Sequence, residues 1–231
     1  MDADLEHASS VRSVAAQELQ RFREIRQLHN HWARKTTRRA YYWYLTFEHC
    51  TELQSLAQRC RDGIPLPYYD FTPLAELHMT LERVAFDGDI GLEQIDTIVA
   101  AAAQACSALR PFTIAVAGLG GTPGALGFSV VPHEPLRALR DTLREATLSA
   151  YPQAPVRPPG FHPHVAIAYC NSDVPATQAI TAVERLSPLD IVTVPVSQVA
   201  LVVIERRSRA YSWHAVTQIP LAGASPPISI N

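Results

Sequence analysis

Apolar positions along this chain switch repeatedly between the two-residue period of a strand and the three-to-four-residue period of a helix. Leu19, Phe22, Ile25, Leu28 and Trp32 recur at helical spacing and predict an N-terminal helix through that stretch, decorated by Arg21, Arg23, Arg26, Arg34, Lys35, Arg38 and Arg39. Tyr41 to Phe47 is aromatic and β-prone, whereas Thr51 to Cys60 has helical spacing, with Thr51 and Gln54 placed for a capping box. A strand is expected over Leu77 to Ala85, a helix over Leu92 to Leu109 ended by Pro111, and a strand over Phe112 to Ala117. The glycines at 118, 120, 121 and 124 read as a connecting turn; they lack the Gly-Lys-Ser/Thr ending of a phosphate-binding loop.

After the glycines the order starts again. Phe128 to Val131 predicts a strand, Pro135 opens a helix, and a Pro-rich loop through Pro159 leads into a strand at His164 to Tyr169. Pro175 opens another helix, and Val194 to Ile204 and Tyr211 to Ile219 close the chain as two strands. Each half thus reads strand, helix, strand, helix, strand, with equivalent elements about 85 residues apart, the mark of an internal duplication. The expected organisation is an N-terminal helical extension over residues 1–40, a bilobal domain over 41–220 with lobes at about 41–118 and 126–220, and a tail over 221–231. Two like lobes would form a cleft where they meet, a common place for a binding site.

Composition narrows the function classes. The 231 residues are 47% apolar and 18% charged, enough for a sizeable core. The longest weakly polar stretch, Ile98 to Leu109, is broken by Gln104 and is well short of the ~18 residues a membrane span needs. The acidic, polar start MDADLEHASS has neither a basic nor an apolar region of a secretory signal, so a cytoplasmic location is expected. A formal charge of −2 is not the footprint of a protein that coats nucleic acid through phosphate contacts alone; a nucleic-acid substrate would be small or locally gripped. Cys50, Cys60, Cys106 and Cys170 show no CxxC pair and read as buried reduced thiols.

The candidate chemistry lies in the two third elements. His78-Met79-Thr80-Leu81 and His164-Val165-Ala166-Ile167 each carry a His two residues before a small side chain, and strand geometry sends residues i and i+2 to one face. Two imidazoles would then face each other across the cleft. In this the sequence resembles the two-histidine (2H) phosphoesterases, the superfamily of 2′-5′ RNA ligase-like proteins and 2′,3′-cyclic nucleotide phosphodiesterases, whose signature is a pair of His-x-Thr/Ser motifs on equivalent strands. The motifs here are LHMTL and PHVAIAY, and the order of elements matches from about 41 to 220.

The resemblance implies a pseudo-two-fold α+β fold with two facing, antiparallel-rich sheets and outer helices. It implies metal-independent phosphodiester chemistry, without a cofactor, on RNA ends or small nucleotides, with His78 and His164 as general acid and base and Thr80 binding phosphate. It departs from the pattern at Ala166, where the family has Thr or Ser. One hydroxyl is missing, and His162, sharing a face with His164 in a straight strand, is the nearest replacement. Tyr44, Phe161 and Tyr169, with Tyr42, lie on or beside the strands that should line the cleft and would suit a nucleobase. Arg83, five residues after His78, faces away in a regular strand and would need a bulge to reach the site. Three other readings remain open on the residues alone: a binding module without turnover, a lyase or isomerase using the same dyad, and a zinc site built from His78, His162 and His164.

Overall fold

The computed structural model describes residues 2–33, 38–158 and 160–222, with side chains from residue 9 onward. Arg34, Lys35, Pro159 and residues 223–231 of the expected tail lie outside the described residues. The elements are α1 (Asp2–Arg23), β1 (Gln27–Leu28), β2 (Ala40–Thr46), α2 (Thr51–Gly63), β3 (Tyr69–Phe71), β4 (His78–Phe86), α3 (Leu92–Cys106), β5 (Phe112–Thr122), β6 (Ala125–Val131), α4 (His133–Ala150), β7 (His164–Cys170), β8 (Val174–Pro175), α5 (Thr177–Leu186), β9 (Val192–Val196), β10 (Gln198–Arg207) and β11 (Ala210–Pro220). No described helix is long and apolar enough to cross a membrane.

Two antiparallel sheets form the body of this α+β fold, one in the order β11-β10-β2-β4 and one in the order β3-β7-β6-β5-β9. The duplication is visible in their make-up. Ala40 and Ala125, His78 and His164, and Phe112 and Gln198 open equivalent strands 85, 86 and 86 residues apart. The first two strands of each half pair together, but the third crosses over: β5 joins β6, and β10 joins β2. Each sheet therefore draws strands from both halves, and its boundary does not follow the sequence break expected near residues 118–126. The exchange ties the two sheets to each other. Outside them, α4 packs on β4 and on α3. The indole of Trp43 donates to the Thr147 hydroxyl at 3.0 Å, fixing the outer face of β2 against α4.

Several expectations are corrected. The N-terminal helix ends at Arg23, so only Leu19 and Phe22 of the predicted stripe lie on it; Leu28 sits in β1 and Trp32 in a 3₁₀ turn over His31–Ala33. Helical spacing continued past the helix end because all of these residues bury apolar surface in separate elements. The capping box does not form: Cys50 is the N-cap without a side-chain bond, and Gln54 instead donates to the carbonyls of Phe47 and Glu48. The glycines are not all turn residues, since Gly118, Gly120 and Gly121 belong to β5, and Pro123–Gly124 alone joins it to β6. Their use is close approach. A Cβ on Gly118 would sit 2.7 Å from the Cβ of Ala15, so the bare backbone lets α1 lie on the sheet. Finally, the stretch expected as one strand from Val194 to Ile204 is two, β9 and β10, in different sheets, separated at Ser197.

One buried carboxylate sets the position of a loop over the groove. Glu82, on the outer side of β4, is fully buried. Its Oε2 accepts from Arg140 at 2.8 Å and Arg144 at 3.1 Å, and its Oε1 from the backbone N–H groups of Arg83 at 3.0 Å and Arg157 at 2.7 Å. Arg144 also donates to the Arg157 carbonyl at 2.6 Å, so the Pro-rich loop is held at both ends of one residue. Removing one partner of such a pair strands the others without solvent. Glu82→Gln should lose about 3 kcal/mol of unfolding free energy in urea, whereas Leu92→Ser, at a position 76% exposed, should stay within about 0.5 kcal/mol. A loss below about 1 kcal/mol for Glu82→Gln would contradict the network's role.

Candidate active site

β4 and β7 come together where the sheets meet, and a cavity of about 440 Å³ opens between their facing surfaces. His78 and Thr80 from β4, and His164, Ala166 and Tyr169 from β7, all line it, together with Tyr42 and Tyr44 from β2. Each strand carries the same irregularity. In β4 Leu81 is an extra residue between Thr80, opposite Tyr44, and Glu82, opposite Trp43; in β7 Ile167 is extra between Ala166, opposite Gly127, and Ala168, opposite Leu126. A bulge of this kind resets the in-out alternation. Arg83 and Tyr169, each five residues after its histidine, therefore turn back into the cavity. That corrects the expectation for Arg83. A second bulge at Val84 extends the pattern, and the partly exposed positions of β4 recur every third residue, at Thr80, Arg83 and Phe86.

The histidines are held in matching ways. The Nδ1 of His78 lies 2.7 Å from the carbonyl of Glu76, and the Nδ1 of His164 lies 2.8 Å from the carbonyl of His162. A carbonyl only accepts, so each Nδ1 carries the proton and a neutral ring has its lone pair on Nε2. Tyr44 stacks on His78 with ring centroids 4.2 Å apart and planes 5° from parallel, which fixes the ring plane. The Glu76 carbonyl also accepts from the Trp213 indole at 3.2 Å, so the group that orients His78 is itself oriented.

Burial differs between them. His78 is only 7% exposed, while His164 is exposed. Desolvation lowers the pKa of His78 to about 4, against a smaller raising effect of the Glu76 bond, and the nearby His164 lowers it further. His164 is also lowered, first by desolvation against the groove walls; its bond to the His162 carbonyl opposes this, and the Arg157 guanidinium adds to it. Burial raises the hydroxyl pKa of Tyr44 well above its usual value and that of Tyr169 likewise, so both are neutral donors.

Two sequence candidates stand elsewhere. Phe161 lies with its ring 5.4 Å from the Arg140 guanidinium carbon and packs on the main core. His162 precedes β7, where no strand alternation applies. Its Nε2 lies 3.3 Å from Arg21 and 3.4 Å from Glu18 on α1, so it borders a neighbouring hollow and does not take the place of a hydroxyl at Ala166. The same placement takes it out of a zinc set with His78 and His164; no cluster of three metal-binding side chains occurs among the described residues.

The cavity also holds residues that motif reasoning missed. Arg38, Arg157 and Arg206 line it along with Arg83, and its described lining contains no Asp or Glu. Arg157 acts electrostatically on both Tyr44 and His164 and lines the same cavity as Ala166. Nothing in a Pro-rich loop marks such a residue in advance; its bonds to Glu82 and Arg144 bring it in. At one end His31, from the segment after α1, and Tyr211 close the cavity around Tyr169, with centroids 4.5 and 5.3 Å from the Tyr169 ring.

The fold has known counterparts. The structure is similar to TT0787 of Thermus thermophilus, with a TM-score of 0.60, 20% identity, and 81% of this chain and 100% of that one covered. It is similar to a phosphoesterase at TM-score 0.62 and 13% identity, covering 80% and 99% of the two chains. It is similar too to E. coli LigT, solved in complex with 3′-AMP, at TM-score 0.61 and 13% identity, covering 80% and 98%. At these identities the likeness is one of fold. No curated protein matches the sequence. The family model of the 2′-5′ RNA ligase superfamily matches residues 49–208, a span that holds both histidine motifs, Arg83 and Arg157, and the chain belongs to that superfamily.

Proposed function

We propose that this protein is a phosphodiesterase that opens 2′,3′-cyclic phosphates, or cleaves 2′-5′ linkages, at RNA ends or in small nucleotides, by acid/base catalysis between His78 and His164. The observation that carries this reading is the pair of imidazoles lining one cavity, each with Nδ1 bonded to the carbonyl two residues before it and Nε2 left for chemistry. E. coli LigT, of similar fold, has been solved with 3′-AMP, ATP and NADP+, which supports a nucleotide as the ligand class here. The four cysteines are free thiols, which suits a reducing compartment, and we take the cytoplasm as its setting.

We assign the roles from protonation. With both pKa values lowered, both rings are neutral near pH 7 in the absence of an anion. A phosphate between them favours the imidazolium form, and the exposed His164 takes a proton before the buried His78. His78 Nε2 is then the base: it accepts a proton from water as the water oxygen bonds to phosphorus. His164 is the acid, giving its proton to the ribose oxygen as the phosphorus–oxygen bond breaks. The Thr80 hydroxyl and the Arg157 guanidinium bind the non-bridging oxygens. Arg157 takes over what the residue at 166, an Ala here, does not provide; a guanidinium offers up to five donors and a full charge where a hydroxyl offers one.

Ala166 also favours a second reading, a groove that binds nucleotides without turning them over. Single-turnover assays with a nucleoside 2′,3′-cyclic phosphate separate the two. His78→Ala and His164→Ala should each lower the rate by about 100-fold or more, and Arg157→Gln by roughly 10- to 100-fold. Equal and negligible rates for the wild type and His78→Ala would leave binding alone. In the free enzyme both groups titrate below the ordinary imidazole value, so kcat/KM should already be falling as the pH rises through about 6.5. A flat profile between about pH 5 and 9 would refute the dyad.

The same burial predicts a pH-dependent stability. The unfolded chain protonates His78 near its ordinary value of 6.5, the folded one only near 4, so between these values the unfolded state binds the extra proton. Stability contributed by the neutral ring is complete above the unfolded value and is lost as pH falls toward 4, by about 3 kcal/mol in total. Urea denaturation at steps from pH 7 to 4 should show this slope, and His78→Gln should flatten it. An unchanged slope in the variant would mean that His78 is not buried as described.

A further inference from the structure

The groove face of the His78 sheet can be read in rows across β4, β2 and β10. Thr80 lies opposite Tyr44 and Tyr44 opposite Ala200; Arg83, Tyr42 and Val202 form the next row; Phe86, Ala40 and Ile204 form the third. Successive rows are two residues apart on β2, about 7 Å, comparable with one step along an extended nucleotide backbone. The bulges at Leu81 and Val84 put Thr80, Arg83 and Phe86 on the same face.

At the far end two cations share one ring. The guanidinium carbon of Arg38 lies 4.4 Å from the centroid of Phe86 and that of Arg83 lies 4.9 Å from it. Arg83 Nε donates to the Pro155 carbonyl at 2.7 Å, which restrains the plane of the group, and Arg83 lines the cavity. The nearby carboxylates are Asp89, which pairs with Arg38 across exposed side chains, and Asp87, which pairs with Arg39; neither lines the cavity. An exposed pair of this kind is worth little, so an arriving phosphate meets two positive groups already assembled.

We propose that Arg38 and Arg83, gathered on Phe86, form a second phosphate site one to two rows from Thr80. It receives the phosphate on the 5′ side of the nucleotide whose 2′ or 3′ phosphate sits between the histidines. This rests on the placement of the reacting phosphate given above and deepens it. The substrate is then a nucleotide with two phosphoryl groups, and a nucleoside bearing only the reacting phosphate is a poor ligand. The shared chemistry is a 5′-side phosphate, either a terminal monoester or the diester of a longer chain.

Titration calorimetry with unreactive, product-like ligands tests this apart from catalysis. The probes are a nucleoside 3′-phosphate, a nucleoside 3′,5′-bisphosphate and a ribodinucleotide with a 3′-terminal phosphate, each at several KCl concentrations. The wild type should bind the second and third about tenfold more tightly than the first, with a slope of log affinity against log salt steeper by about 0.7. In the double variant Arg38→Gln, Arg83→Gln all three affinities should converge to within about twofold. Tighter binding of the bisphosphate points to a monoester, and tighter binding of the dinucleotide to a chain. Equal affinities and salt slopes in the wild type, or a preference that survives in the double variant, would overturn the site. Cyclic-phosphate opening with equal affinities removes this inference alone; a clear preference without turnover upholds the site and removes only the catalytic reading.

Discussion

The placement of the cationic groove depends on the carboxylate of Glu82. It lies outside the cavity and touches no substrate position, yet it is fully buried and takes four hydrogen bonds from three elements. Two of them come from α4 and one from the Arg157 backbone, so the helix, the edge strand β4 and the Pro-rich loop are fixed to one charge. A buried carboxylate is costly by itself, and it is tolerated because both oxygens are satisfied by two guanidinium groups and two amides. The loop has little secondary structure to hold it. Without the amide bond from Arg157 its position would rest on the carbonyl bonds from Arg144 and Arg83, and the Arg157 guanidinium would lose part of its fixed starting point.

Charge distribution explains why the composition was uninformative about the ligand. A net charge of −2 averages over the whole surface. The cavity collects Arg38, Arg83, Arg157 and Arg206 with no acid among its described lining residues, while Glu18, Asp70, Glu76 and Glu82 are turned to partners around it. Local potential in a low-dielectric cleft is what an incoming anion meets, and it can be strongly positive in a protein that is acidic overall.

The parts legible in the sequence were those with a period or a repeat. Alternation and turn residues located most strands and helices, and the 85-residue offset paired His78 with His164 before any geometry was known. What was illegible depends on contacts between distant segments. The exchange of β5 and β10 between sheets leaves no trace in local pattern, because both strands would be apolar in either sheet. The bulges at Leu81 and Ile167 are invisible for a similar reason: a bulge is one residue of register relative to a partner strand, and a single strand has no register. The sequence alone therefore directs Arg83 to the wrong face. The glycines of β5 looked like a turn because their use, admitting α1 at Ala15, involves a helix about 100 residues earlier.

Ala166 is the point at which this chain leaves its family's pattern, and under the phosphodiesterase reading the exchange alters more than a hydrogen bond. A hydroxyl near the second histidine is neutral and leaves the imidazole's proton affinity almost unchanged. The Arg157 guanidinium in the same cavity bears a charge and adds to desolvation in pushing the His164 pKa down in the resting protein. The same group attracts the phosphate, and the phosphate's negative charge reverses that effect on His164. Loading of the acid is thereby coupled to occupancy: His164 holds its proton when there is an anion to protonate and gives it up when there is none. A hydroxyl at 166 would add a neutral donor without the further lowering that the Arg157 charge adds to desolvation, so under this reading the guanidinium widens the swing in His164 proton affinity between the empty and the occupied groove.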